Sequence, residues 1–225
     1  MYQLPDPTDV KRIAAAIDAE IHALPVQNTP CERAVRRRYS QMLKQARPEI
    51  IVALARELVA TYGRRWLAFE LIAGHRLALR SMGEAELTEF GRGINSWWTV
   101  DAFARTLSGV VWRNGQVGDE VILAWASADD RWWRRAALVS TVALNVRSQG
   151  GSGDVPRTLA VCRLLVGDHD DMVAKAMSWA LRELVVHDPV AVQQFLSKHE
   201  DALAARVKRE VGHKLKTGLK NPKRK

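Results

Sequence analysis

Apolar residues recur at helical spacing along nearly all of this 225-residue chain, while the strict alternation of a half-buried strand is scarce. That pattern restricts the chain to an all-α fold. The spacing predicts helices over about 8–23, 29–46, 48–62, 65–80, 84–92, 97–111, 116–126, 131–146, 155–166, 171–186, 189–197 and 199–216. The punctuation agrees: Pro5, Pro7, Pro25, Pro30, Pro48, Pro156 and Pro189 stand at or near helix starts, and Gly63, Gly83, Gly115 and Gly167 stand between helices. Arg147 to Asp154 is the one flexible stretch, too short for a domain linker and suited to a longer inter-helix loop.

A weak internal repeat marks the second half. Asp130–Ala136 and Asp171–Met177 share a capping Asp, apolar residues behind it and a basic residue at the same place, at an offset of 41 residues. That period lies in the range of HEAT-type helix pairs, which bury their apolar faces only by stacking. The expected architecture is one HEAT-like domain over 1–215, its helices stacked into a curved solenoid with a concave basic and aromatic face, followed by a basic tail over 216–225.

Charge and cysteine usage narrow the setting. Of the net charge of +9, a balance of +8 falls between Arg206 and Lys225, so the positive field is mostly a property of the C-terminal end. Such an end attracts polyanions, whether nucleic acid or an anionic membrane surface, and otherwise serves solubility. Cys31 and Cys162 are far apart inside apolar helical patterns and offer neither a disulfide framework nor zinc spacing. The six histidines form no ligand spacing either, and Gly91-Arg92-Gly93 does not continue as a phosphate-cradling loop, so no metal and no cofactor are expected. No apolar run reaches the roughly 18 residues of a membrane span, and MYQLPDPTDVKR lacks the layout of an export signal. A soluble, cytoplasmic monomer is the expectation.

Six of the eight tryptophans lie between Trp97 and Trp133. Ser96-Trp97-Trp98-Thr99-Val100-Asp101 sets indoles beside a carboxylate, and Asp129-Asp130-Arg131-Trp132-Trp133-Arg134-Arg135 sets them among guanidinium groups. With Asn95 or Ser96 as N-cap, Trp97 and Asp101 project from one helical face a turn apart. A ring face beside a carboxylate receives cations, the ring contributing about 0.5–2 kcal/mol. The second cluster, capped by Asp129 or Asp130, turns Arg131, Arg134 and Arg135 around its helix, with Arg131 and Arg135 on one face. Guanidinium forks suit phosphate oxygens. The competing reading is a Trp-rich core, first-turn placement of Asp101, and arginines that pair with Asp129, Asp130 or Glu120. Trp179, mid-helix with Arg182 one turn on, reads alone as core.

Taken together, these residues resemble the AlkD-type DNA alkylation repair enzymes, HEAT-like alkylpurine DNA glycosylases. The resemblance rests on Trp-x-x-x-Asp at Trp97 to Asp101, Arg-Ala-Ala at Arg135 to Ala137, and Lys-Ala-x-x-Trp-x-Leu-Arg-Glu at Lys175 to Glu183, in the family's order. It spans roughly residues 30 to 215. The Gly-Ser loop at 148–154 departs from the family pattern, the doubled Trp leaves Trp98 as a rival to Trp97, and the basic end resembles an extension found in only part of the family.

The resemblance implies a monofunctional glycosylase that hydrolyses the N-glycosidic bond of cationic N3- or N7-alkylated purines in double-stranded DNA while the lesion stays stacked. It implies catalytic roles for Asp101, Trp97 and Trp179: the carboxylate steadies the sugar cation and orients water, and the two indoles contact the sugar and backbone. It makes Arg135 the holder of a nearby phosphate. Trp98, Arg131, Arg134, Lys175 and Arg182 complete the expected DNA-binding set, and the DNA-bound protein would associate with the nucleoid. No helix-hairpin-helix motif and no Lys placed for a Schiff base point to a strand-cleaving step. Two alternatives stand beside this reading: a HEAT-like DNA-binding protein without catalysis, against which Asp101 argues, and a protein-interaction scaffold, against which the arginine stripe argues.

Overall fold

The computed structural model describes residues 9–219 and contains no strand among them. Part of the expected basic tail, Lys220 to Lys225, lies outside the described residues. The chain divides into two units, Met1–Glu86 and Leu87–Lys225. Among the described residues no helix is long and apolar enough to cross a membrane, and no group of His, Cys, Asp and Glu is placed to hold a metal ion.

The first unit holds α1 (Val10–His22), α2 (Thr29–Met42), α3 (Pro48–Ala60), α4 (Arg65–Gly74) and α5 (Arg76–Arg80). Asp9 and Asn28 cap α1 and α2 by accepting the N–H groups of Arg12 and Cys31. α3 packs on α1 and α4, burying Ile13, Ile17, Leu54, Leu58, Leu67 and Ile72. Two expected helices are shorter here. The helix read as 29–46 stops at Met42 and gives way to i,i+3 turns at Lys44 and Ala46, and Pro48 then holds Arg47 in an extended conformation ahead of α3. The helix read as 65–80 breaks at His75, whose backbone is extended and whose buried ring accepts the Ala78 N–H in place of a helical carbonyl.

The second unit is organised around one helix. α6 (Glu84–Gly91) leads into it, followed by α7 (Trp97–Phe103), a π turn (Ala104–Ser108), α8 (Gly109–Arg113), α9 (Asp119–Ala126), α10 (Arg131–Asn145), α11 (Val155–Leu164), α12 (Asp171–Leu184), α13 (Pro189–Lys198) and α14 (Ala205–Thr217). Every residue of α10 from Arg135 to Asn145 is buried. That is possible because α7, α8, α9, α11 and α12 all pack on it, and because Ala-Ala-Leu-Val-Ser-Thr-Val-Ala-Leu offers small and apolar groups on every side. Its polar side chains are paired internally: Ser140 shares a 2.7 Å hydrogen bond with Ser108, Thr141 donates to the Leu138 carbonyl, and Asn145 donates to the Thr141 carbonyl and Thr158.

The expected helix over 97–111 contains the π turn, in which the Gly109 N–H reaches back to the Ala104 carbonyl. Beyond it Gly109 lies so close to α10 that a Cβ would collide with the Ser140 carbonyl oxygen. The final helix starts at Ala205 rather than 199, since the chain runs through turns and an extended Ala204 that tuck Leu203 and Ala204 into the core. The repeat is present with a corrected register. Asp130 caps α10 and Asp170, not Asp171, caps α12, so the caps stand 40 residues apart and Arg135 corresponds to Lys175.

Gly109→Ala is expected to destabilise the protein by about 1–3 kcal/mol, because the obstruction is backbone and has no rotamer to escape into. Urea unfolding of the two proteins, followed by helical circular dichroism, measures the difference.

Candidate functional site

All of the singled-out residues belong to the second unit. Ser96 stands at the N-cap position of α7 with an extended backbone, but its hydroxyl is engaged with that of Thr99 at 2.7 Å rather than with a first-turn N–H. Trp97 and Trp98 open the helix and are 57% and 47% exposed. A tryptophan buries a large area in a core, so two neighbouring indoles left in solvent are not there for packing. One turn on, Asp101 is half-buried against α10.

There it meets Arg135. The guanidinium grips the carboxylate at two points, Nε to Oδ1 and Nη2 to Oδ2, each at 2.9 Å, and sends Nη1 to the Met172 carbonyl at the start of α12 at 2.5 Å. One side chain thus ties α7, α10 and α12. Arg135 is only 5% exposed, and three of its nitrogens are committed to protein acceptors, so a phosphate cannot reach it without displacing them. Burial raises the Asp101 pKa, opposed by the Arg135 hydrogen bond, the Arg135 charge and the Arg105 charge, and the balance stays raised. Folded Asp101 therefore holds its proton more firmly than the unfolded chain does. The group favours folding at acid pH and loses that contribution as pH rises through the raised value.

The second tryptophan pair divides its labour. Trp133 is half-buried: it lies over Gly91 and packs against Trp125 at 4.8 Å and edge-on to Phe103 at 6.2 Å, at the edge of the core rather than within it. Trp132 is half-exposed with Arg131 over its ring at 4.8 Å. Arg131 also leans on Asp170 at 3.4 Å and is exposed, which leaves it accessible to a ligand. Arg134 is spent on structure: it binds Asp168 at 2.7 Å and the Ala128 and Asp129 carbonyls, fastening the turn ahead of α10 to the one ahead of α12. The expected pairing with Asp129 or Asp130 carboxylates is replaced by these partners.

On α12, Trp179 is half-buried and donates its indole N–H to Glu183 at 3.0 Å. Lys175 pairs with Asp171, whose pKa is lowered chiefly by the Lys175 hydrogen bond. Arg182 donates to the Ser178 carbonyl and faces Glu210 at 3.8 Å. Sequence reasoning missed the Met172 carbonyl, Asp168, Asp170 and Arg105. Only Arg105 carried a signal, its position one turn beyond Asp101. Elsewhere in the unit the Cys162 thiol is fully buried and pushed up to about 12, which leaves it a packing group.

A family model described as DNA alkylation repair enzyme matches residues 1–215. No curated protein matches the chain at a significant level.

Arg135→Ala is expected to cost about 2–4 kcal/mol of stability, somewhat less than for a fully buried pair, because the Asp101 left behind is only half-buried and can take a proton. Arg131→Ala is expected to cost only about 0–1 kcal/mol, because its pair is exposed. Denaturant titration of both variants beside the parent protein checks the contrast.

Proposed function

The chain belongs to the DNA alkylation repair enzymes, and on that premise we propose that it is a monofunctional glycosylase that releases cationic N3- or N7-alkylated purines from duplex DNA. One observation carries the reading: a desolvated carboxylate, Asp101, fixed at two points by a buried guanidinium and standing one turn from two solvent-facing indoles.

The chemistry asks for little else. Alkylation at N3 or N7 places a positive charge on the purine, so when the C1′–N bond breaks its electron pair passes to the base and cancels that charge. The deoxyribose is left electron-poor at C1′ and O4′. A carboxylate already in place, in surroundings drier than bulk water, stabilises that developing charge more than the same group free in water, and needs no reorganisation at the moment of reaction. Water then adds to C1′, and Asp101 orients it and draws off its proton. Trp97 and Trp98 offer π faces to the sugar and backbone, and Trp179 offers a third on α12. Indoles exposed at the start of a helix suit a lesion that remains stacked, rather than one swung out of the helix. Arg135 acts as a positioning residue: its hold on the Met172 carbonyl fixes the guanidinium, and the guanidinium fixes the acid.

A second reading, a DNA-binding repeat protein without catalysis, draws on the same pair, since a bidentate arginine neutralises the carboxylate. The two differ in product. Incubation with methylated duplex DNA is expected to release free 7-methylguanine or 3-methyladenine, identified by mass analysis, and Asp101→Asn is expected to abolish release while leaving DNA binding nearly intact. Binding without release by the parent protein would establish the second reading. Because Asp101 acts as the carboxylate and its pKa is raised, single-turnover release is expected to decline as pH falls through a value above that of an ordinary aspartate, and a profile flat through that range would remove Asp101 from the mechanism.

A further inference from the structure

Arg135, which the resemblance made the phosphate holder, is closed off, and a different arginine stands open beside the acid. Arg105 lies four residues beyond Asp101, within the π turn, and is exposed. Its charge adds the smallest of the influences that lower the Asp101 pKa against burial, after the Arg135 hydrogen bond and the Arg135 charge. Its Nε donates to the Gln149 side-chain oxygen at 3.1 Å, and its two terminal nitrogens have no hydrogen-bond partner among the described residues.

The partner is informative. Arg131 and Arg134 lean on the carboxylates of Asp170 and Asp168, which offset their charge. Arg105 is oriented by a neutral amide, so its direction is set and its positive charge stays available. A guanidinium anchored through Nε presents both terminal nitrogens outward as a fork, the shape that two phosphate oxygens accept.

The loop that carries Gln149 is built to hold that amide in place. Arg113 donates to the Gln149 carbonyl at 2.7 Å and to the Ala143 carbonyl at 2.9 Å, anchoring the loop to α10. Gly150 turns the chain through a left-handed conformation (φ 87°) that a side chain would strain. The Gly151 and Gly153 N–H groups return to the Val146 and Leu144 carbonyls, and Gly151 sits so tightly on Asn145 and Val146 that a Cβ would come within 2.7 Å of backbone. What read in sequence as a flexible Gly-Ser insertion is a tied turn.

We propose that Arg105, aimed by Gln149, binds a DNA phosphate next to Asp101, and that the 147–153 loop is the device that positions it. The proposal rests on the repair reading above for its ligand. A phosphate clasped there brings the neighbouring sugar against the carboxylate, while the guanidinium between them shields one negative group from the other. Gln149 is a positioning residue that acts through Arg105.

The test measures the salt dependence of binding to a duplex, with and without methylation, together with single-turnover base release. Arg105→Ala is expected to weaken binding about tenfold and to lower the slope of log affinity against log salt by about one. Arg105→Lys restores the slope, because the charge returns, but not the full release rate, because the fork does not. Gln149→Ala keeps the slope and slows release, which a merely structural loop residue would not do with the melting temperature unchanged. An Arg105→Ala slope equal to the parent's overturns the proposal, and so does full release by Arg105→Lys. If the parent protein releases no base at all, the glycosylase reading falls, while the slope on unmethylated duplex still decides whether Arg105 touches phosphate.

Discussion

The second unit depends on a single ion pair that links three helices. Asp101 on α7 and Arg135 on α10 meet in a two-point clasp, and the third arm of the guanidinium takes a carbonyl from α12. Burying two charges is expensive, and such a pair seldom adds net stability over a well-packed apolar contact. Its effect is geometric. Each partner is costly in its site when the other offers no hydrogen bond, so the helices that carry them favour the mutual arrangement in which both are satisfied, and the same arrangement fixes the acid one turn from the exposed indoles.

α10 makes this possible because it is buried along most of its length. A helix enclosed by neighbours has few ways to slide or rotate, the more so when Ser140, Thr141 and Asn145 are hydrogen-bonded in place. Arg135 therefore extends from the most constrained element of the unit. The accessible groups, Trp97, Trp98, Arg105 and Arg131, stand at helix starts and turns around it. On the proposed glycosylase reading, the fixed centre supplies preorganisation and the solvent-facing periphery supplies contact.

Local information was legible in the sequence and tertiary information was not. Residue type placed the starts of α7 and α10 at Ser96 and Asp130, among the alternatives it allowed; Asp130 caps by accepting the Trp132 N–H, whereas Ser96 holds the N-cap position while its hydroxyl pairs with Thr99. The i,i+4 rule put Asp101 one turn from Trp97. The partner of Arg135 could not be read, because it lies 34 residues away and nearby Asp129 and Asp130 were equally good candidates by charge. The cap of α12 was misread by one residue for a local reason, an Asp-Asp pair in which either side chain can accept a first-turn N–H. The break at His75 and the π turn were invisible to periodicity, since a single residue's departure shifts the phase without erasing it. In the 147–153 loop, glycines that signal freedom in an unfolded chain mark close backbone approach in the folded one.

The π turn between α7 and α8 separates two demands on one stretch of chain. An unbroken α-helix advances by a fixed angle per residue, so the face it shows at one end dictates the face it shows at the other. By spending an extra residue in a single turn, residues 104–108 reset that phase: the preceding segment leaves Trp97 and Trp98 in solvent while it seats Asp101 against Arg135, and the following one brings Gly109 against the backbone of α10.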